Sequence, residues 1–224
     1  MATPLDLQEQ EQLEELKHFW KKYGNLITWV LLIVFGALAA WNVYNYWQRG
    51  QAVKASVLYD SVESAAESGD MTLLARSFDD MKSRFGRTTY AQQSGLLVAK
   101  TLDAKGNIEG AKAALAWVAD HASDEGYQAI AKLRLAAVLM ELKAYGEARK
   151  QLEGSFPAQF APLVADRLGD IDVLQGNKAE AVVEYRKAYQ GLDPQLQYRR
   201  MVEVKLNALG VDPQAATPAA GGSQ

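Results

Sequence analysis

The chain of 224 residues carries 24 Lys and Arg against 27 Asp and Glu, a net charge of −3, and it has no cysteine. That balance, with no basic run longer than a pair, excludes nucleic acid as a main partner, because phosphate binding needs clustered cations. The missing thiols exclude disulfides, thiolate metal sites and cysteine nucleophiles, and two isolated histidines, His18 and His121, make no local metal motif.

The first element in chain order is a hydrophobic run. No charged residue occurs from Leu26 to Trp41, and continuing to Trp47 adds only Asn42, Asn45 and aromatic or small apolar side chains. A helix needs about 20 residues, at about 1.5 Å each, to cross a hydrocarbon layer of about 30 Å. Phe19, Trp20 and Tyr23 precede the run, and Trp41, Tyr44, Tyr46 and Trp47 close it. Rings with an apolar body and a polar edge prefer the headgroup region, so the two clusters mark two interfaces with membrane lipid.

Ala37-Leu38-Ala39 resembles the small-x-small pattern of a signal-peptide cleavage site. The leader, however, is long and acidic where a short basic one is expected, and the segment continues well past that point. A buried core helix would carry a polar face, which is missing here. The run is therefore read as a permanent anchor. Lys17, Lys21 and Lys22 on its N-terminal side, against Arg49 and Lys54 beyond it, favour a cytoplasmic N-terminus. Within the span, Gly36, Ala37 and Ala40 form a small-residue face on which another membrane helix can pack.

Beyond the anchor there is no sustained two-residue alternation. Apolar residues recur at helical spacing, with short Gly, Asn and Asp breaks between them. The breaks repeat: Gly69, Gly106, Lys143 and Gly176 stand at steps of 37, 37 and 33 residues. After each break, Leu74, Ala111, Ala148 and Ala181 share one column, and Phe78, Leu115, Leu152 and Tyr185 share the next. Before three of the breaks, Ala99, Ala136 and Gly169 align, followed three residues later by Leu102, Leu139 and Asp172. Small residues facing each other suit tightly packed antiparallel helices, and the large ones fill the space between neighbouring pairs.

This spacing resembles the tetratricopeptide repeat, a helix-turn-helix unit of about 34 residues. The first unit is divergent, with Val62 and Leu74 where small residues are expected, and Asp172 stands where a bulky residue is usual. The pattern predicts helices at 50–68, 71–85, 89–105, 108–121, 126–143, 145–153, 158–175, 178–190 and 194–209, the last capping the stack. The fold class is all-α: a membrane helix followed by a solenoid of antiparallel helix pairs. The expected organisation is a leader over 1–24, the span over 25–47, the repeat domain over 48–210 and a disordered tail over 211–224, whose composition cannot bury enough apolar surface to order itself.

The leader EQEQLEELKHFWKKYG, a single span closing in Trp41, Tyr46 and Trp47, and a divergent helical repeat domain ending in VEVKLNAL together resemble the YfgM family. The likeness runs from about Glu9 to Leu209. Members are bacterial inner-membrane proteins described as ancillary subunits of the SecYEG translocon. The resemblance implies a periplasmic repeat domain that associates with the translocon and with the periplasmic chaperone PpiD, and through them with unfolded secreted polypeptides.

There is no Gly-rich phosphate loop, H-E-x-x-H, G-x-S-x-G or metal-ligand cluster, so neither cofactor nor catalysis is expected. His121, near a predicted helix end, is read as complementing the helix dipole or capping a carbonyl there. The carboxylates Asp79, Asp80, Asp166, Asp170 and Asp172 are read as solvated helix faces. Repeat stacks act through a concave surface lined by the first helix of each pair. One and four residues after the small column stand Lys100 and Asp103, Ala137 and Met140, and Asp170 and Val173, the candidate partner groove. Two other readings fit the same features: a self-associating envelope scaffold, and a cytosolic regulator of inverted topology.

Overall fold

The computed structural model describes residues 7–214; the first six residues and most of the predicted tail, from 215 on, lie outside them. Among the described residues every regular element is a helix. Two units divide at Gln51.

In the first unit the chain is a single α-helix, part of α1 (Leu7–Ser68). The predicted break between a span ending at 47 and a helix starting at 50 is absent. Gly50 is the one weak point there; it has no left-handed backbone angle and no proline beside it. A lone glycine costs a helix only about 1 kcal/mol, too little to end it. Residues 26 to 41 are exposed almost throughout, Trp29, Phe35 and Trp41 included. α1 is long and apolar enough to cross a membrane, with a mean hydropathy of 2.1 over its most apolar window. The Thr28 hydroxyl donates to the Gly24 carbonyl at 2.7 Å, so this polar group inside the span is satisfied within the helix.

The second unit begins with the end of α1 and continues as α2 (Met71–Phe85), α3 (Thr89–Ala104), α4 (Ile108–His121), α5 (Glu125–Glu141), α6 (Tyr145–Leu152), α7 (Ala161–Gln175), α8 (Lys178–Gly191) and α9 (Gln197–Ala208). Eight of the predicted segments thus recur, with ends shifted by up to three residues. The segment predicted over 158–175 opens instead with a 3₁₀ turn, Ala158–Phe160, before Pro162 starts α7. α9 starts later than 194, because the Asp193 carboxylate accepts from the Gln195 N–H at 2.8 Å in a turn around Pro194.

The breaks share one geometry. Gly69, Gly106, Lys143 and Gly176 adopt left-handed φ values of 73°, 76°, 57° and 84°. In each, the following residue donates its N–H five positions back: Asp70 to Ala65 (3.1 Å), Asn107 to Leu102, Ala144 to Leu139 and Asn177 to Asp172 (each 2.8 Å). This satisfies a carbonyl the helix end would otherwise leave open and turns the chain sharply. Gly210, 34 residues beyond Gly176, repeats it, with φ 79° and Val211 N–H donating to Leu206 at 3.0 Å. So α9 stands where the first helix of a fifth unit would.

Side chains then restart the chain as helix. Asp70 accepts from Leu73 N–H at 2.9 Å, Asn107 from Gly110 at 3.0 Å, and Asp124 from Gly126 and Tyr127 at 2.8 and 3.1 Å.

The aligned columns form the core. Ala111, Ala136, Ala148 and Ala181 are fully buried, as are Val62 and Leu74 of the divergent first unit. A Cβ on Gly169 would stand 2.6 Å from the Tyr185 ring, so α7 and α8 approach as closely as a glycine permits. The main cluster joins Val62, Phe78, Val98, Leu115, Leu139 and Ile171, while a second one joins Ala181, Tyr185, Val202 and Leu206 beneath α9. α9 closes that second core with one face only; Met201 and Val204 on its other side stay exposed.

Lys143 is the one non-glycine among the described residues with positive φ. A left-handed L-residue costs about 1–2 kcal/mol, partly offset by glycine's larger entropy loss on folding. Lys143→Gly is predicted to stabilise the repeat unit by about 0.5–1 kcal/mol, read as a raised midpoint in urea denaturation followed by circular dichroism in detergent.

Candidate functional site

A groove of about 380 Å³ opens between α3 and α5 above α4. Its floor is Ala99, Ala111, Leu115, Ala137 and Val138. The alanines of the repeat columns make the hollow, because a larger side chain at Ala99 or Ala111 would fill it. Charged side chains stand around it: Lys100 and Asp103 from α3, Arg134 and Glu141 from α5, all exposed. No ion pair within 4.0 Å among the described residues engages any of the four.

The structure thus brings Lys100, Asp103 and Ala137 together and places the other three expected groove residues elsewhere. Met140 packs against the main core, Val173 is exposed on α7, and Asp170 belongs to a separate charge cluster. Arg134 and Glu141 were not foreseen. They lie one turn before and one turn after Ala137 on the same helix, so the spacing that singled out Ala137 contained both.

The charge cluster ties α9 to α7. Lys205 Nζ lies 2.8 and 2.9 Å from the two Asp166 oxygens and 2.6 Å from Asp170 Oδ1. The Tyr198 hydroxyl donates to Asp166 at 2.6 Å and the Tyr185 hydroxyl to Asp170 at 2.7 Å. Asp172 pairs with Arg149 of α6. The reading of these carboxylates as solvated faces is therefore corrected: Asp166 and Asp172 are buried, at 1% and 3% exposure, each against a cation from another helix. The bulky residue expected at Asp172 is replaced by this pairing. Asp79 and Asp80 are exposed as expected, Asp79 pairing with Lys82 at 2.7 Å.

His121 caps its helix end, with Nδ1 3.0 Å from the Trp117 carbonyl and the ring stacked on that indole at 5.2 Å between centroids. His18 is exposed in the first unit. No group of three or more His, Asp or Glu among the described residues is placed to hold a metal ion.

A membrane-length apolar helix and a stack of helix pairs with an open groove define a class: repeat proteins that work by presenting a surface to other chains. The sequence model of the tetratricopeptide repeat-like domain matches residues 17–211, and the chain belongs to that family. It is 28% identical to the Ancillary SecYEG translocon subunit of Neisseria gonorrhoeae, over 91% of this chain and 98% of that one. Identity to the proteins of the same name is 27% in Haemophilus influenzae and 28% in Escherichia coli, over 91% of this chain and 98% and 97% of theirs. These relatives bear out the resemblance to the YfgM family.

Two predictions follow from the charge cluster. Lys205→Met leaves Asp166 buried without its cation and is expected to cost about 3 kcal/mol, with α9 cleaved first in limited proteolysis. Burial and the hydrogen bonds to Asp170 and Asp166 hold the Tyr185 and Tyr198 hydroxyls well above the usual phenol range. A phenol raised in this way stays neutral in the fold after its unfolded counterpart ionises near pH 10. Its contribution is complete below about pH 10 and is lost as pH rises further. Urea midpoints should therefore fall above about pH 10, and fall less steeply once Tyr185 and Tyr198 are both replaced by Phe.

Proposed function

We propose that this chain is a single-pass inner-membrane protein that holds a tetratricopeptide repeat-like domain beside the Sec translocon as a non-catalytic adaptor. The observation that carries this reading is the match to proteins named as ancillary SecYEG translocon subunits along nearly their whole length, span and repeats together. The three lysines before the span support a cytoplasmic N-terminus, which puts the repeats in the periplasm. There the domain binds a chaperone of the PpiD type and meets emerging secreted chains. Tethering raises its local concentration beside the exit, so weak contacts suffice. Gly36, Ala37 and Ala40 are the face on which the span meets a neighbouring membrane helix; nothing lies within 4 Å of where a Gly36 Cβ would be.

Photocrosslinking in native membranes tests this. A crosslinker placed at Ala40 is predicted to capture a translocon subunit, and one at Ala137 a periplasmic chaperone or a secreted chain. Recovery of neither, or of further copies of this chain alone, would instead favour a self-associating scaffold. Protease added to spheroplasts is predicted to cleave the repeats, since an inverted chain would keep them shielded.

A further inference from the structure

The charges around the groove are sorted along its length. α3 and α5 are first helices of consecutive units, each joined through the intervening α4 by short turns, so they run in the same direction. The 37-residue step between their breaks aligns Lys100 with Ala137, and it aligns Arg134 with Leu97, one turn earlier. Both cations therefore lie on the N-terminal side of the groove's carboxylates along the two helices. Asp103 aligns with Met140, and Glu141 aligns with Ala104, so both carboxylates lie toward the C-terminal ends. The groove has a positive half and a negative half over a floor of small apolar side chains.

A helical rise of about 1.5 Å per residue puts the members of each like-helix pair about 4–5 Å (Lys100 and Asp103) and about 10 Å (Arg134 and Glu141) apart along the axis. The centres of opposite charge are thus separated by about 7 Å. An extended chain rises about 3.3 Å per residue, so side chains two positions apart project to the same side with nearly that separation.

We infer that this groove selects an extended polypeptide segment in which an acidic and a basic side chain stand two residues apart, flanked by small residues. The acid meets Lys100 and Arg134, the base meets Asp103 and Glu141, and the residues between and beside them cover Ala137 and Leu115. All four groove charges are unpaired and exposed, so they answer a ligand's charge without first breaking an internal bond. Net charge on the segment is disfavoured in either direction, because two like charges would place one of them in the half of its own sign. The inference rests on the adaptor reading and specifies what its repeat domain recognises.

The test uses full-length protein in detergent and fluorescent nonapeptides of alanine and serine carrying Glu-Ala-Lys, Glu-Ala-Glu, Lys-Ala-Lys or adjacent Glu-Lys at the centre. Anisotropy titrations at low salt are expected to show binding of the Glu-Ala-Lys peptide at least 10-fold tighter than of the other three. Replacing Lys100 and Arg134 with Glu makes both halves negative, and preference should then move to Lys-Ala-Lys. A loss of folding would abolish binding without creating that new preference, and circular dichroism checks for it. Equal binding of all four peptides, no binding at all, or no change of preference in the double variant would overturn the inference. Crosslinking of the wild-type chain to the translocon would persist in each of those cases, which separates this failure from failure of the adaptor reading.

Discussion

The repeat unit depends on one backbone device, the left-handed residue that ends each first helix and the N–H that reaches five positions back behind it. Without that turn, the apolar columns on consecutive helices would have no reason to face each other. With it, the direction of the chain is reversed within a few residues, and the next helix starts on a side-chain cap at Asp70 or Asn107. Four of the five turns use glycine, for which the left-handed region carries no steric penalty. Lys143 carries that strain itself.

What the turn brings together, the small residues then fix. Ala111, Ala136, Ala148 and Ala181 let neighbouring helices approach until nothing remains between them, and Gly169 brings α7 within contact of the Tyr185 ring. Close approach in one layer leaves shallow relief in the next, and the groove over Ala99, Ala111 and Ala137 is a product of the same small side chains. Core packing and the relief of the groove are one property of the repeat. At the C-terminal end the logic changes: Lys205 with Asp166 and Asp170, and Arg149 with Asp172, hold the last helices by charge. Buried pairs are costly to break and lend register more than stability. That suits a helix whose outer face, at Met201 and Val204, is exposed among the described residues.

Much of this was legible in the residues. The periodic breaks announced the helices because Gly and Asn have no comfortable place inside one, and the small and large columns announced the pairing. Gly210 belongs to the same series, 34 residues beyond Gly176. The expected boundary between a span ending at 47 and a helix starting at 50 is missing, because a single glycine at Gly50 lacks the energy to stop a helix that good helix formers continue on both sides. The buried carboxylates were misread for a different reason. Their partners, Lys205 and Arg149, lie 39 and 23 positions away, and no local pattern predicts which distant cation will reach a given acid. The groove was half visible: Lys100, Asp103 and Ala137 followed from the column, whereas the exclusion of Met140, Asp170 and Val173 depended on local packing and charge pairing.

The most direct measurement is amide hydrogen exchange at residue resolution on the full-length protein. Asp70, Asn107, Ala144, Asn177 and Val211 lie in turns at helix ends, where an unbonded N–H exchanges at close to the rate of an unfolded chain. Their bonds to residues five positions back predict slow exchange at all five, with protection matching the helices that precede them. Rapid exchange at these five amides, alongside protected helix interiors, would show that the helices form without the turns that pair them and would contradict the repeat architecture.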